Sequence, residues 1–383
     1  MELRYGLNPH QRAHAAPVSA DRQPVRLLHG QPSFINLLDA LNAWQLVQEA
    51  SQQLGRPVAA SFKHVSPAGV ATPGPIDEVT AGLFGAGDGN LTDLARAYLR
   101  ARDADPKSSY GDFVAVSHPV DTGLAELLTR VVCDGIVAPG YLPGTVDMLS
   151  KKKKGRFILL EADQAFTPPV TETRDVFGVR LTQQHDQAPL SRALLSSVNE
   201  TLPAPVVDDL LLGMIVARYT QSNSVCYLRG GMTLGIGAGQ QSRVDCTRLA
   251  GAKVDIWWLR RHPAVRALAF APGIRRQDKI NWQIRFAEGG LTPDEDRRLG
   301  QALTEPAAHL TADQRAQWAD RLTAVCLVSD GALPFRDNVD HACRHGVRYI
   351  AEPGGSNRSA EIEEACREHQ IALVRTGVRL FRH

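Results

Sequence analysis

The chain has 383 residues, of which 43% are hydrophobic and 22% charged, and its formal net charge is +2. This is the composition of an ordinary globular protein long enough for two domains. It excludes a dedicated nucleic-acid binder, which carries a basic face or tail, and it leaves room for a local anion site. No apolar run approaches the roughly 20 residues that cross a bilayer. The opening MELRYGLNPHQ also lacks the apolar core of a signal peptide, so a cytoplasmic protein with neither nucleic-acid nor membrane partners is expected.

In chain order, FINLLDALNAWQLVQEA places Phe34, Leu37, Leu38, Leu41, Trp44 and Val47 at helical spacing. This predicts an amphipathic helix with Asn36 and Asp39 off its apolar face. VAASF, GDFVAVS, GIVAPGY and RFILLEAD are short apolar runs bounded by turn residues, and they read as buried strands. The run Lys151–Lys154 before the last of them reads first as a solvated turn or helix end, and second as a phosphate contact. A loop-like zone from DQAPLS to ETLPAPV places a soft boundary near residue 200. DDLLLGMIVARYTQS then predicts a helix, and VCYLRGGMTLGIGAG two strands around a glycine turn. Residues 251–322, rich in Arg, Asp and Gln, read as helical insertion material. From Val325 onward, strand, helix, strand, helix and strand alternate, which predicts a parallel βαβαβ unit. The six cysteines include no C-x-x-C pair and sit mostly in apolar runs. They read as buried reduced thiols, with neither a zinc site nor a disulfide framework.

Four stretches carry chemistry. Lys63 and His64 end the strand SFKH before a Ser-Pro-Ala-Gly turn. A histidine there is either a structural residue or a catalyst. A neighbouring ammonium disfavours imidazolium, which suits a proton acceptor with a cation beside it. LGIGAGQQSRVDCTR has the spacing Gly235-x-Gly237-x-Gly239, which is not the dinucleotide fingerprint. It is either a tight connection or an anion pocket in which Gln240, Gln241 and Ser242 donate and Arg243 stands at a helix N-terminus. SDGALPFRDNVD follows a strand, with Asp337 or Asn338 available as a helix cap, and EPGGSNRS is the equivalent loop after the next strand. The terminal RTGVRLFRH is either a fraying tail or a docked one.

LRYGLNPHQ, SFKHVSPAGVA, SNSVCYLRGGMTLGIGAGQQSRVDCTRLAG, PFRDNVD and GVRLFRH occur in this order from about residue 3 to the end. Together they resemble the transformylase half of the bifunctional purine-biosynthesis family, which formylates 5-aminoimidazole-4-carboxamide ribonucleotide (AICAR) from 10-formyltetrahydrofolate. The resemblance implies an α/β fold of duplicated, cytidine deaminase-like three-layer α/β/α subdomains, residues 1–199 and 200–383, with a helical insertion at about 251–322. It implies His64 as general base and Lys63 as transition-state stabiliser. It implies AICAR contacts from Arg4, Tyr5, His64, Gly111, Asp134, Asn223, Arg243 and Arg379, and folate contacts from Val244, Asp337, Ser356 and Asn357. Family members are homodimers with shared active sites, so Asn223 and Arg243 are expected from the second subunit. Some hold a monovalent cation, and Thr220, Ser222, Ser224 and Asp330 match the segments involved. A potassium ion is therefore expected there, and no transition metal.

This chain starts where the family's cyclohydrolase domain ends. The expectation is thus a standalone formyltransferase with a separate IMP cyclohydrolase. Where the family has two phenylalanines before Pro-Phe-Arg-Asp, this chain has Ala332 and Leu333, so two aromatic faces are expected to be missing beside the substrates. Two rival readings remain. A nucleotide-binding sensor or inactive subunit would keep the pocket without turnover. A deaminase would need a His/Cys-x-x-Cys zinc set, which the chain lacks.

Overall fold

The computed structural model describes residues 1–19, 22–85, 91–196 and 201–383. Strand β1 (Val25–His29) leads into the long helix α1 (Phe34–Leu54) and then the hairpin of β2 (Ala59–Lys63) and β3 (Ser66–Ala71). Helices α2 (Glu78–Phe84) and α3 (Asp93–Ala104) precede β4 (Asp112–Val116), α4 (Thr122–Arg130), β5 (Cys133–Ala138), α5 (Thr145–Ser150) and β6 (Ile158–Ala162). A two-stranded ribbon, β7 (Thr171–Val176) and β8 (Val179–Gln184), follows. The domain boundary expected at 199/200 lies outside the described residues.

The second half opens with α6 (Ala204–Arg218), β9 (Val225–Leu228), β10 (Thr233–Gly237) and α7 (Arg243–Leu259). Residues 251–322 form the end of α7 and then α8 (Pro263–Arg266), α9 (Arg276–Glu288), α10 (Pro293–Ala302) and α11 (Ala312–Ala319). The chain closes as β11 (Val325–Ser329), α12 (Asp337–Cys343), β12 (Val347–Glu352), α13 (Ser359–Glu368) and β13 (Ala372–Arg375). Strands β11, β12 and β13 are parallel, as the alternation predicts.

Two sheets organise the molecule, a mixed α/β architecture. The first is six-stranded in the order β1-β6-β5-β4-β2-β3, and the second is five-stranded in the order β10-β9-β11-β12-β13. Their edge strands β3 and β10 adjoin. Ala71 bridges Met232, and Val70 N–H donates to Thr233 Oγ1 at 3.0 Å. One face of the first sheet packs under α1, and the other under α3, α4 and α5. The second sheet lies between α6 on one face and α7, α12 and α13 on the other. Because α1 and α6 also touch each other, one apolar core runs beneath both sheets.

Helix α1 starts at a capping box in which Ser33 and Asn36 satisfy each other's backbone, and it stops at Gly55 in the left-handed region. Its sequence predicts one apolar face, but the structure buries it nearly all round, Asn36 and Asp39 included. The reason is position. A helix covered by a sheet on one side and by a second helix on another has little solvent face left. Helices α8–α11 gather on a small apolar cluster of their own. They are fastened to α7 by a reciprocal pair in which Trp258 Nε1 donates to Trp318 O at 2.7 Å and Trp318 Nε1 to Trp258 O at 2.9 Å.

Candidate active site

Strand register carries the chemistry-bearing residues to one rim. Lys63 ends β2, which runs antiparallel to β4, so the β2–β3 turn lies beside Gly111 at the start of β4. Asp134, the second residue of β5, is at the same rim because β4 and β5 are parallel. The N-terminal segment reaches it through two backbone bonds, Arg4 N–H to Pro32 O at 2.9 Å and Phe34 N–H to Tyr5 O at 3.0 Å. Arg4 lies over the Tyr5 ring, 4.8 Å from its centroid. On the second sheet, Asn223 precedes β9 while Ser329 ends its antiparallel partner β11 and Asp330 follows it. That is the carboxyl end of β11–β13, where ligands bind open α/β sheets. The two groups are joined by Gln221 N–H donating to Ser66 Oγ at 3.4 Å. Among the described residues, no hydrogen bond or ion pair links Lys63 or His64 directly to Asn223 or Arg243.

The β2–β3 turn has only two residues, His64 at φ 54° and Val65 at φ 62°. Two positive φ values define the turn that best fits a twisted hairpin, normally filled by Asn-Gly. A β-branched residue there is an outlier. The turn is held by α1, since Asp39 Oδ1 accepts Val65 N–H at 2.6 Å. Burial raises the Asp39 carboxyl to about 6, against the lowering effect of the Val65 and His64 N–H groups and the His64 charge. The His64 ring is exposed and makes no hydrogen bond among the described residues. Lys63 Nζ donates to Tyr110 O at 2.7 Å, on the segment leading to Gly111. Gly111 itself sits at φ 77°, which explains the glycine. Asp134 pairs with Lys153, so part of the lysine run borders this rim while Lys152 turns back onto Val131 O.

The second group is built on Asp330, which is fully buried. Its carboxylate accepts Ser222 Oγ–H at 2.6 Å, Ser224 N–H at 2.9 Å and the Arg243 guanidinium. Arg243 also donates to Ser329 Oγ at 2.8 Å and to Asn223 Oδ1 at 2.7 Å. The Ser222–Asn223 peptide is cis. Arg243 thus opens α7 as expected, with its two terminal nitrogens engaged by Asp330, Ser329 and Asn223. The Gln240 amide likewise donates to Ala238 O. The glycines before it serve packing. A Cβ on Gly235 would meet Ala250 O at 2.3 Å and one on Gly237 would meet Cys246 O at 2.5 Å, so they let α7 lie against β10.

The C-terminal tail is docked. Leu380 N–H donates to Asp330 O at 2.8 Å, Ser222 N–H to Arg382 O at 2.9 Å, and Leu380 is buried. This sets Phe381 beside Arg243 and Arg379, 5.9 Å and 4.6 Å from the two guanidiniums.

The remaining expected residues divide. Val244 is half-buried next to Arg243 on α7. Asp337 is the first residue of α12, not its cap, and it accepts Asn338 Nδ2–H at 2.9 Å. Ser356 and Asn357 lie on the loop after β12, Asn357 fully at the surface. Leu333 does not face the rim. It is 1% exposed and packs in the core under α12, so no aromatic face is lost at the rim by having leucine there. Exposed Phe335, with Arg358 at 4.9 Å, and Phe381 supply aromatic surface nearby.

Glu352 was not anticipated. Its buried carboxylate accepts Leu333 N–H at 3.3 Å and Gly354 N–H at 3.0 Å, tying together the two loops that carry Asp337, Ser356 and Asn357. Asp39 lies off the apolar face that the helical spacing predicts, yet it is buried. Its one local signal was an acid in an apolar helix with no cation three or four residues away. All six cysteines are free and five are buried, with the thiols of Cys133, Cys246 and Cys366 pushed up to about 12 by burial. Among the described residues, no three His, Cys, Asp or Glu side chains gather as a metal-ligand set, and no helix is long and apolar enough to cross a membrane.

The fold and this rim define a two-sheet α/β protein with a polar site at the strand ends, half of it on each sheet. The chain belongs to the AICARFT/IMPCHase bienzyme family, which residues 1–253 match. It is 31% identical over 389 residues to the bifunctional purine biosynthesis protein PurH of Magnetococcus marinus, covering 100% of this chain and 59% of the relative. It is 30% identical to PurH of Roseobacter denitrificans and 29% identical to PurH of Sinorhizobium medicae, over 388 residues each and with the same coverage. The chain therefore spans about three-fifths of the length of these curated relatives.

Proposed function

We propose that this chain transfers the formyl group of 10-formyltetrahydrofolate to the 5-amino group of AICAR. The observation that carries the reading is the Lys63–His64 turn, held at the rim beside Gly111 and Asp134. Its amine substrate is a weak nucleophile, because the lone pair is delocalised into the imidazole and carboxamide. As the amine nitrogen bonds the formyl carbon, His64 takes the amine proton and the Lys63 ammonium stabilises the charge developing on the formyl oxygen. The C–N bond to the folate then breaks, and the folate nitrogen leaves with a proton. Arg4, Tyr5, Asp134, Asn223, Arg243 and Arg379 hold the ribonucleotide, and Val244, Asp337, Ser356 and Asn357 the folate.

Two further assignments belong to this reading. Ser224 Oγ is buried and has no hydrogen-bond partner among the described residues, next to Asp330 and Ser222. Hard oxygens of this kind suit a potassium ion held with Thr220, which would order the loop bearing Asn223. The active unit is a homodimer of two duplicated, deaminase-like halves per chain, with sites shared between protomers. The exposed β7–β8 ribbon, whose tip residue Phe177 is wholly in solvent, supports a second copy as its cover.

The test is formyl transfer by purified protein. Turnover is expected with AICAR and 10-formyltetrahydrofolate, and His64→Ala should lose roughly 10²–10⁴-fold in rate. Turnover only with formate and ATP would reject the donor. Ribonucleotide binding without transfer would favour a sensor, and a His64→Ala rate within a few-fold of wild type would remove the base.

A further inference from the structure

We propose that Asp39 is the positioning residue of the Lys63–His64 turn, holding the turn through the backbone. This inference rests on the formyl-transfer reading. It starts from an imbalance. A two-residue turn of histidine and valine at positive φ is intrinsically unfavourable, so something outside the turn over-determines it. Asp39 is that element. It projects from the second turn of α1, is 6% exposed, and accepts Val65 N–H at 2.6 Å. The His64 N–H acts on the same carboxylate. A hydrogen bond to an ionised acceptor is about twice as strong as a neutral one.

The charged groups around this carboxylate are few. His64 faces it from the turn and Asp134 from β5. Lys63 is turned away onto Tyr110 O, and Lys153 is spent on Asp134. No cation pairs with Asp39 directly among the described residues. The same carboxylate is costly to the fold, since burial lifts it to about 6. Between the ordinary 3.8 and this value the native state holds more protons than the unfolded chain, so its contribution to stability falls as pH rises through that window.

The experiment uses Asp39→Asn and Asp39→Ala in the full chain. Asparagine keeps an acceptor for the turn and removes the charge. Asp39→Asn should melt at or above the wild-type temperature at pH 8 and keep kcat within about threefold of wild type. Asp39→Ala, which removes both acceptor and charge, should lose at least tenfold in kcat with KM for AICAR within about threefold. Asp39→Asn that loses as much kcat as Asp39→Ala would overturn the proposal, because the acceptor would then not be what holds the turn. So would kcat for both variants within twofold of wild type. If wild-type protein transfers no formyl group, the functional reading fails by itself, and the His64 and Val65 amide resonances, displaced in Asp39→Ala and kept in Asp39→Asn, still decide the positioning.

Discussion

Asp330 shows what a single buried carboxylate can organise. Three donors from one segment and one helix N-terminus converge on it, and its backbone carbonyl holds the C-terminal tail. Its partner Arg243 is itself only 7% exposed, so neither charge has water to fall back on. Asp330→Ala leaves the guanidinium buried and unpaired, and the expected loss is about 3–5 kcal/mol of unfolding free energy, read from urea denaturation. The same variant should release residues 380–383 to proteolysis. The sequence displayed Arg243 as an anion donor on sound local grounds, a cation at a helix start after a glycine turn. It could not display the competing carboxylate, which is 87 residues away along the chain. Leu333 carries the same lesson. Its apolar character was legible, but only the turn of the loop decides that it points into the core.

At the scale of elements, the rim is made of loops and turns fastened by buried acids on neighbouring elements. Asp39 on α1 holds the β2–β3 turn, and Glu352 at the end of β12 holds the loops on either side of it. Burial keeps the Glu352 carboxyl above its ordinary value against the pull of its two N–H donors. With a raised native value, the wild-type glutamate contributes most at low pH and loses ground as pH rises above 4.5. Glu352→Gln should therefore be destabilising at pH 5, by about 1 kcal/mol for one weakened hydrogen bond, and less so at pH 8. Urea midpoints at the two pH values check the sign. On the proposed formyl-transfer reading, KM for the folate should rise in this variant, because the loops bearing Asp337, Ser356 and Asn357 lose a shared anchor. The strands and helices that these loops connect were readable from periodicity. β1, the β7–β8 ribbon and helices α2–α5 give no clear local signal, since short or weakly periodic segments resemble loops, and the Ser-Pro-Ala-Gly stretch that reads as a turn is the start of β3, the turn being His64–Val65.

At the scale of the molecule, the two sheets adjoin at β3 and β10 and share a core through α1 and α6. The ribbon is the exception to this compact arrangement. All residues of β7 and β8 are exposed, with Val176, Phe177, Val179 and Leu181 presenting apolar surface. Isolated two-stranded hairpins are marginal in water, so a partner surface is expected to cover this one. On the proposed homodimer, Phe177→Asp should shift sedimentation toward the monomer at low micromolar protein without lowering the melting temperature of the remaining fold. Sedimentation unchanged from wild type would leave the ribbon outside any interface.

The amino-acid sequence by itself determined the α/β class, the parallel βαβαβ unit, the long α1 helix and the Lys63–His64 pair. These rest on periodicity, turn chemistry and adjacency, which are properties of neighbouring residues. Tertiary structure alone decided which polar residues leave water. Asn36 and Asp39 are buried because α1 is covered on two sides, Arg243 is paired because β11 ends beside α7, and the glycines before Arg243 serve the approach of α7 to β10. Burial of a charge depends on what packs against it from distant parts of the chain, and no local pattern carries that information.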